Sequence, residues 1–232
     1  MKLALLLLLL APSGADAVIN GDGSFASMFP EVVELHSVNM LCTATIIGPR
    51  AILTAAHCAT STPAVFEYRG IPYIVDFVIS TKSAQGHDLG VGVTRKAIRG
   101  AFYATIGGTV ATGDPIYFLG YGCTRAGGGG KSGELRLGSS QVVQIDEQKI
   151  ISQIDKGGGA LCFGDSGGPA FVRHEGLRRL IGVNSTGDIQ ETNMDVRLNS
   201  PESQLFFTQV AAMFEIGICG INLRCPEHAP RI

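Results

Sequence analysis

Residues 42–58 read CTATIIGPRAILTAAHC. The run TATII is β-branched and apolar, Gly48 and Pro49 interrupt it, and a second apolar run ends on His57. Two short runs around a Gly-Pro break are the signature of strands joined by a turn, and a histidine at the end of a strand sits where loops gather. The same texture extends from Val32 to Val196, with VVEL, YIVDFVI, LGVGV, PIYFLGY, SSQVVQI, PAFV and LIGV separated by Gly, Pro, Ser and Asn. No amphipathic helices lie between these runs, which indicates antiparallel barrels or a sandwich rather than alternating strands and helices.

One helix is expected late in the chain. Ser200 can cap it, Pro201 suits its first turn, and Leu205, Phe206, Val210, Ala211 and Phe214 supply an apolar stripe that Gly217 would stop. Beyond it, Cys219 and Cys225 are close enough to close a small loop in the tail 217–232.

The N-terminus, MKLALLLLLLAPSGADAV, has Lys2, an apolar stretch from Leu3 to Leu10 and the small-residue ending Ala15-Asp16-Ala17, the layout of a cleaved secretory signal over residues 1–17. The apolar stretch is too short for a bilayer core, which takes roughly 20 helical residues. Residues 18–232 are then one exported domain, secreted or periplasmic, with no membrane contact after cleavage. All six cysteines lie in it, and an even count in an exported chain favours disulfides. No C-x-x-C pair or H-E-x-x-H occurs, so no metal and no cofactor is expected. Net charge is −2 and basic residues form no run, which argues against nucleic acid.

Three motifs compete for the chemistry. AGGGGKSG resembles the end of a phosphate-binding loop, but Arg125 stands at its first glycine position and the sequence after Ser132 reads as strand, so no helix N-terminus faces a phosphate. Gly164, Ser166 and Gly168 match the G-x-S-x-G elbow of an α/β-hydrolase esterase, which would need a later acid and histidine such as Asp195 and His228 on a parallel sheet. The third reading joins separate stretches. A serine hydroxyl needs a histidine to take its proton and a carboxylate to orient that histidine. ILTAAHC supplies His57, HDLGVGV supplies Asp88 and GDSGGP supplies Ser166. Asp76, mid-strand in YIVDFVIS, is the weaker rival to Asp88.

These blocks, in this order, resemble the trypsin/chymotrypsin family of serine endopeptidases. VINGDGSFASMFPEVVEL resembles its mature N-terminus, FLGYG its GWG turn and LIGVNSTG its substrate-aligning strand. The resemblance implies two packed six-stranded antiparallel β-barrels with a C-terminal α-helix. It also implies His57, Asp88 and Ser166 as catalytic residues and the amides of Gly164 and Ser166 as the oxyanion hole. A buried Asp165 would pair with the α-ammonium of Val18 after cleavage at Ala17. Ala160 would form the floor of the specificity pocket, Gly187 a wall, and Ser185 to Gly187 the substrate-pairing strand. With Ala160 in that place the pocket would take an apolar side chain, unless Asp188 or Asp195 enters it from the other wall.

The sequence departs from the family at Tyr121 and Thr186, which replace its usual tryptophans, and at Cys162, whose usual partner after Gly187 is missing. The disulfides expected by this resemblance are Cys42 with Cys58, Cys123 with Cys162, and Cys219 with Cys225. The formal sequon Asn184-Ser185-Thr186 falls in the expected substrate groove and is read as chance. Polypeptide substrates and protein inhibitors are the expected partners of a monomer; a catalytically silent binding module is the alternative from another class.

Overall fold

The computed structural model describes residues 18–60, 63–80, 86–154, 158–189 and 191–226. The signal segment 1–17 and the tail 227–232 with His228 lie outside the described residues. Two closed antiparallel barrels of six strands each make up the fold. The first holds β1 (Val32–Ser37), β2 (Met40–Gly48), β3 (Ala51–Thr54), β4 (Ala64–Tyr68), β5 (Ile71–Ile79) and β6 (Gly90–Thr94), in the spatial order β1-β2-β3-β6-β5-β4. The second holds β7 (Pro115–Gly120), β8 (Arg136–Ile145), β9 (Lys149–Gln153), β10 (Pro169–His174), β11 (Leu177–Gly187) and β12 (Thr192–Arg197), in the order β7-β8-β9-β12-β11-β10. Each barrel closes on itself and leaves no free sheet edge.

The first barrel is filled from every strand by residues such as Leu35, Ile46, Ile52, Phe66, Val75 and Val91, all buried. Its interior has no room to spare at β6. A Cβ on Gly92 would lie 2.4 Å from Val75 Cγ1 and 2.7 Å from Ile52 Cγ1. Gly92→Ala therefore overpacks the core and is expected to destabilise by about 1–3 kcal/mol, read from urea unfolding. Arg178 of β11 stacks over Phe29 and Phe171 at 4.3 and 5.0 Å and pairs with buried Glu31, which fastens the lead-in of the first barrel to the second.

After the barrels comes α1 (Pro201–Phe214). Ser200 caps it, its side chain accepting from the Ser203 amide, and Pro201 occupies the first turn. Val210 and Ala211 of the expected stripe are buried and Phe206 and Phe214 pack half-buried against the core, but Leu205 is exposed, and Ser203 and Phe207 are buried with the stripe. Of the consecutive aromatics at 206 and 207, Phe207 is the fully buried one. The stop is also earlier than Gly217: Glu215 adopts the left-handed conformation at φ 49° and its N–H returns to the Ala211 carbonyl. Gly217 instead permits close packing, since a Cβ there would lie 2.8 Å from Leu223. Disulfides join Cys42 to Cys58, Cys123 to Cys162 and Cys219 to Cys225. Among the described residues no helix is long and apolar enough to cross a membrane.

Candidate active site

The segment after β3 stays extended at Ala55 and then tightens into a short 3-10 turn, Ala56–Ala59, which carries His57. The disulfide from Cys58 to Cys42 pins that turn to β2. Asp88 lies just before β6 and holds the turn from the other side. His57 donates its backbone N–H to Asp88 Oδ1 at 2.9 Å, and its ring Nδ1 lies 2.7 Å from Asp88 Oδ2. Ser185 Oγ donates to the same Oδ2 at 2.7 Å. Burial works to raise the Asp88 pKa, but the hydrogen bonds from His57 and Ser185 and the charge of His57 outweigh it, and the carboxyl lies below its ordinary 3.8. The stability this group contributes is present above pH 3.8 and is lost as pH falls through its lower folded value. An ionised Asp88 keeps the proton of His57 on Nδ1, which leaves Nε2 as the basic nitrogen.

The turn bearing Ser166 is held by both barrels. Thr43 of β2 donates its N–H to the Ser166 carbonyl at 2.9 Å and its hydroxyl to the Gly164 carbonyl at 2.8 Å. From the second barrel, the Gly167 N–H donates to the Asn184 carbonyl and the Asn184 N–H to the Gly168 carbonyl, each at 2.8 Å. Gly164 has φ 100°, and a Cβ on it would lie 2.8 Å from Gly122 Cα, so only glycine fits. Neither the Gly164 nor the Ser166 amide donates to any group among the described residues.

His57 and Ser166 line one cleft of about 530 Å³ between the barrels, with Leu161, Cys162, Phe163, Asn184, Ser185, Thr186, Gly187 and Ile189. No hydrogen bond joins Ser166 Oγ to His57 Nε2, a contact of the kind that tightens when substrate enters. Asp165, next to Ser166, faces the interior. It is fully buried and accepts from the Gly122 and Cys162 amides at 2.8 Å each. Burial pushes it up to about 7, and those two amides only partly counter the rise.

Asp88 thus orients the His57 imidazole, Ser166 shares its cleft, and the Gly164 and Ser166 amides are without acceptors among the described residues. A family model described as Trypsin matches residues 18–201. The chain belongs to the trypsin family. Members of this family are serine peptidases, and the antiparallel barrels exclude the α/β-hydrolase reading of Gly164, Ser166 and Gly168. The glycine-loop decoy fails as expected on its second half, because β8 and no helix follows Ser132.

Other residues fall differently from a trypsin-family reading of the sequence. Ala160 does not line the cleft; its backbone pairs with Ile19 in an isolated bridge, and its neighbour Leu161 faces the space instead. Asp188 folds onto its own turn, accepting from the Glu191 and Thr192 amides at 2.7 and 2.9 Å, so it does not enter the pocket. Asp76 is exposed on β5 beside Arg95. Asn184 is fully buried and its amide donates to the Leu119 and Asp165 carbonyls, which closes the sequon to glycosylation in the folded protein. Cys42, His57 and Cys58 bring ligand atoms within 4.8 Å, but both sulfurs are in the disulfide and leave no thiolate for a metal.

Two residues escaped the sequence reading. Thr43 fastens the serine turn across the barrel interface, and only the long-range pairing of the barrels reveals it. Ser185 is read from sequence as a substrate-pairing residue, yet its hydroxyl serves Asp88. His87, beside Asp88, belongs to a separate buried chain running from Ser80 through its ring to Ser203 on α1, at 2.6 and 2.9 Å.

Proposed function

We propose that the protein is an exported serine endopeptidase that cleaves peptide bonds through an acyl-enzyme on Ser166. The observation that carries this reading is His57, paired with Asp88, lining the same cleft as Ser166, with the Gly164 and Ser166 amides unpaired among the described residues. Ser166 Oγ attacks the scissile carbonyl carbon as His57 Nε2 takes its proton, and Asp88 stabilises the imidazolium through Nδ1–H. The Gly164 and Ser166 amides hold the oxyanion, a contribution of roughly 3 to 4 kcal/mol per donor. His57 returns the proton to the leaving amine, leaving an ester on Ser166. Water, deprotonated by Nε2, then attacks the ester, and Ser166 recovers its proton as the acid product departs.

The test is covalent labelling of the mature protein, beginning at Val18, with diisopropyl fluorophosphate, followed by peptide mapping and digestion of a diverse peptide library. Stoichiometric label on Ser166 and cleavage of the library are expected; a folded protein that neither takes label nor cuts overturns the reading.

Activation follows from the same reading. Val18 is wholly buried against Phe118 and Leu161, and Asp165 lies buried without a cation among the described residues. Cleavage after Ala17 would free the Val18 α-ammonium to neutralise it, so export itself would complete the site. The sign is testable. In the unprocessed chain, Asp165 ionises at about 7 in the folded state against 3.8 unfolded, so its stability contribution is lost as pH rises between those values. Pairing with an ammonium removes that loss. The chain beginning at Val18 is expected to melt higher than the unprocessed chain by roughly 5 °C or more at pH 8, with the gap closing toward pH 4. Equal melting at pH 8 refutes the pairing.

A further inference from the structure

Thr43 is fully buried in β2, and each polar atom it carries has a partner. Its N–H donates to the Ser166 carbonyl at 2.9 Å, and its carbonyl accepts from Thr54 Oγ at 2.9 Å. Its hydroxyl stands between two segments of the second barrel, accepting from the Tyr121 N–H at 3.0 Å and donating to the Gly164 carbonyl at 2.8 Å. A peptide N–H can only donate and a peptide carbonyl can only accept, so the hydroxyl proton points at Gly164. As a β-branched residue in a strand, Thr43 has little freedom at χ1, and the backbone of β2 therefore fixes where that hydroxyl lies.

Gly164 needs such an anchor. Its φ of 100° is a conformation open to glycine, and glycine has no side chain to hold the two peptide units that meet at its Cα. The unit before it is held by Cys123, whose N–H donates to the Phe163 carbonyl at 2.8 Å; because a trans peptide is planar, the Gly164 N–H then points the opposite way. The unit after it is held at its carbonyl by the Thr43 hydroxyl, and no other group among the described residues donates to that oxygen. Ser166 follows the same plan, its carbonyl held by the Thr43 N–H. One residue of the first barrel thus fastens the chain next to each amide that the reading above assigns to the oxyanion.

We propose that the Thr43 hydroxyl is a positioning group for the oxyanion hole: by holding the Gly164 carbonyl, it keeps the Gly164 N–H aimed where the substrate carbonyl oxygen gains its negative charge. The claim rests on the endopeptidase reading above. A donor stabilises that charge fully only if it is in place before the tetrahedral intermediate forms, and a glycine free to rotate would first have to be ordered. Removing the hydroxyl leaves two buried groups, the Tyr121 N–H and the Gly164 carbonyl, without partners, and the glycine is the one that can turn to find another. Because Thr43 belongs to the first barrel and Gly164 to the second, the hole is complete only when the barrels are docked.

Thr43→Val keeps the shape and removes the hydroxyl, and Thr43→Ser keeps the hydroxyl. On a peptide selected by the library digestion, Thr43→Val is expected to lose about a hundredfold in kcat with KM within about threefold of wild type, and Thr43→Ser to keep kcat within about threefold. The second readout is a pair of ligands built on that peptide, a trifluoromethyl ketone and the matching alcohol. Ser166 Oγ adds to the ketone carbon, its proton passing to His57 Nε2 and the carbonyl π pair becoming the oxyanion, whereas the alcohol binds without a covalent bond. Thr43→Val is expected to weaken the ketone about a hundredfold and the alcohol less than about threefold, while a role confined to stability would move both alike. A crystal structure of the wild-type ketone adduct stands even if Thr43→Val fails to fold. In it the ketone oxygen should accept from the Gly164 and Ser166 amides with the bond from Thr43 Oγ to the Gly164 carbonyl intact. Wild-type kcat in Thr43→Val, a Thr43→Ser as slow as Thr43→Val, equal weakening of ketone and alcohol, or a Gly164 carbonyl turned away from Thr43 in the adduct would overturn the proposal. Labelling of wild type by diisopropyl fluorophosphate separates the two levels: label together with any of those outcomes sinks this inference alone, whereas a folded protein without label sinks the endopeptidase reading beneath it.

Discussion

Replacing Ser166 by alanine is expected to lower kcat about a millionfold and to leave the protein as stable as the wild type, the loss being that measured for triad serines in this type of enzyme. The stability half follows from the geometry. Ser166 Oγ has no hydrogen-bond partner among the described residues, whereas the backbone of the turn is held through the Ser166 carbonyl by Thr43. Removing the hydroxyl breaks no contact that the fold relies on. The catalytic half follows from the division of labour. With no nucleophile, His57 has no proton to take, so adding His57→Ala should cost almost nothing more. What survives is the binding cleft and the Gly164 and Ser166 amides, which by the triad template retain about a thousandfold advantage over water. Single-turnover kinetics on Ser166→Ala, His57→Ala and the double variant would check this. Losses that multiply would mean that the two residues do not act as a unit, and the triad would have to be reassigned.

Much of the fold was legible because the barrels are built from short β-branched runs with strong breaks. TATII, LGVGV and PIYFLGY each name a strand without any tertiary information. Three strands were not legible in this way. FEY in β4, KIISQ in β9 and TNMDVR in β12 mix polar and apolar residues, and β12 turns Asn193 and Asp195 inward, against the rule that polar residues face out. The inward Asn193 holds the Leu161 segment through Leu161 N–H, and Leu161 lines the cleft, so the pattern fails where the site is made. The residues around His57, Asp88 and Ser166 were readable because each sits in a local motif. The pocket was not, since counting back from Ser166 gives Ala160, while the lining depends on which side of an irregular segment faces β11. The three-dimensional register puts Leu161 there. The edge of the helix stripe was missed for a related reason: only the packing partners decide that Phe207, and not Leu205, is buried beside Phe206, Val210 and Ala211.

Asp88→Asn is the sharper test of the imidazole, with an expected fall in kcat of about ten thousandfold, the magnitude that the triad template carries for this change. The direction can be argued from the three donors that this carboxylate receives. Oδ1 accepts from the His57 backbone N–H, and Oδ2 accepts from His57 Nδ1–H and from Ser185 Oγ. Asparagine offers one acceptor atom and one NH₂ group in the same space. If its oxygen faces the ring, its NH₂ meets the backbone N–H of His57, a donor that cannot change its role. If it turns over, its oxygen takes the backbone N–H while its NH₂ faces Nδ1 and Ser185, both of which can accept. The second arrangement leaves no group unpaired and is therefore the stable one. It forces the ring proton from Nδ1 to Nε2, so the nitrogen that should receive the Ser166 proton already holds one. The fold loses little, and KM changes little because the cleft is unaltered, but the base is gone. Nitrogen-15 spectra of the imidazole at neutral pH should show Nδ1–H in the wild type and Nε2–H in the variant. A variant within tenfold of wild-type kcat, or one that keeps the Nδ1–H form, would remove Asp88 from the role of orienting His57.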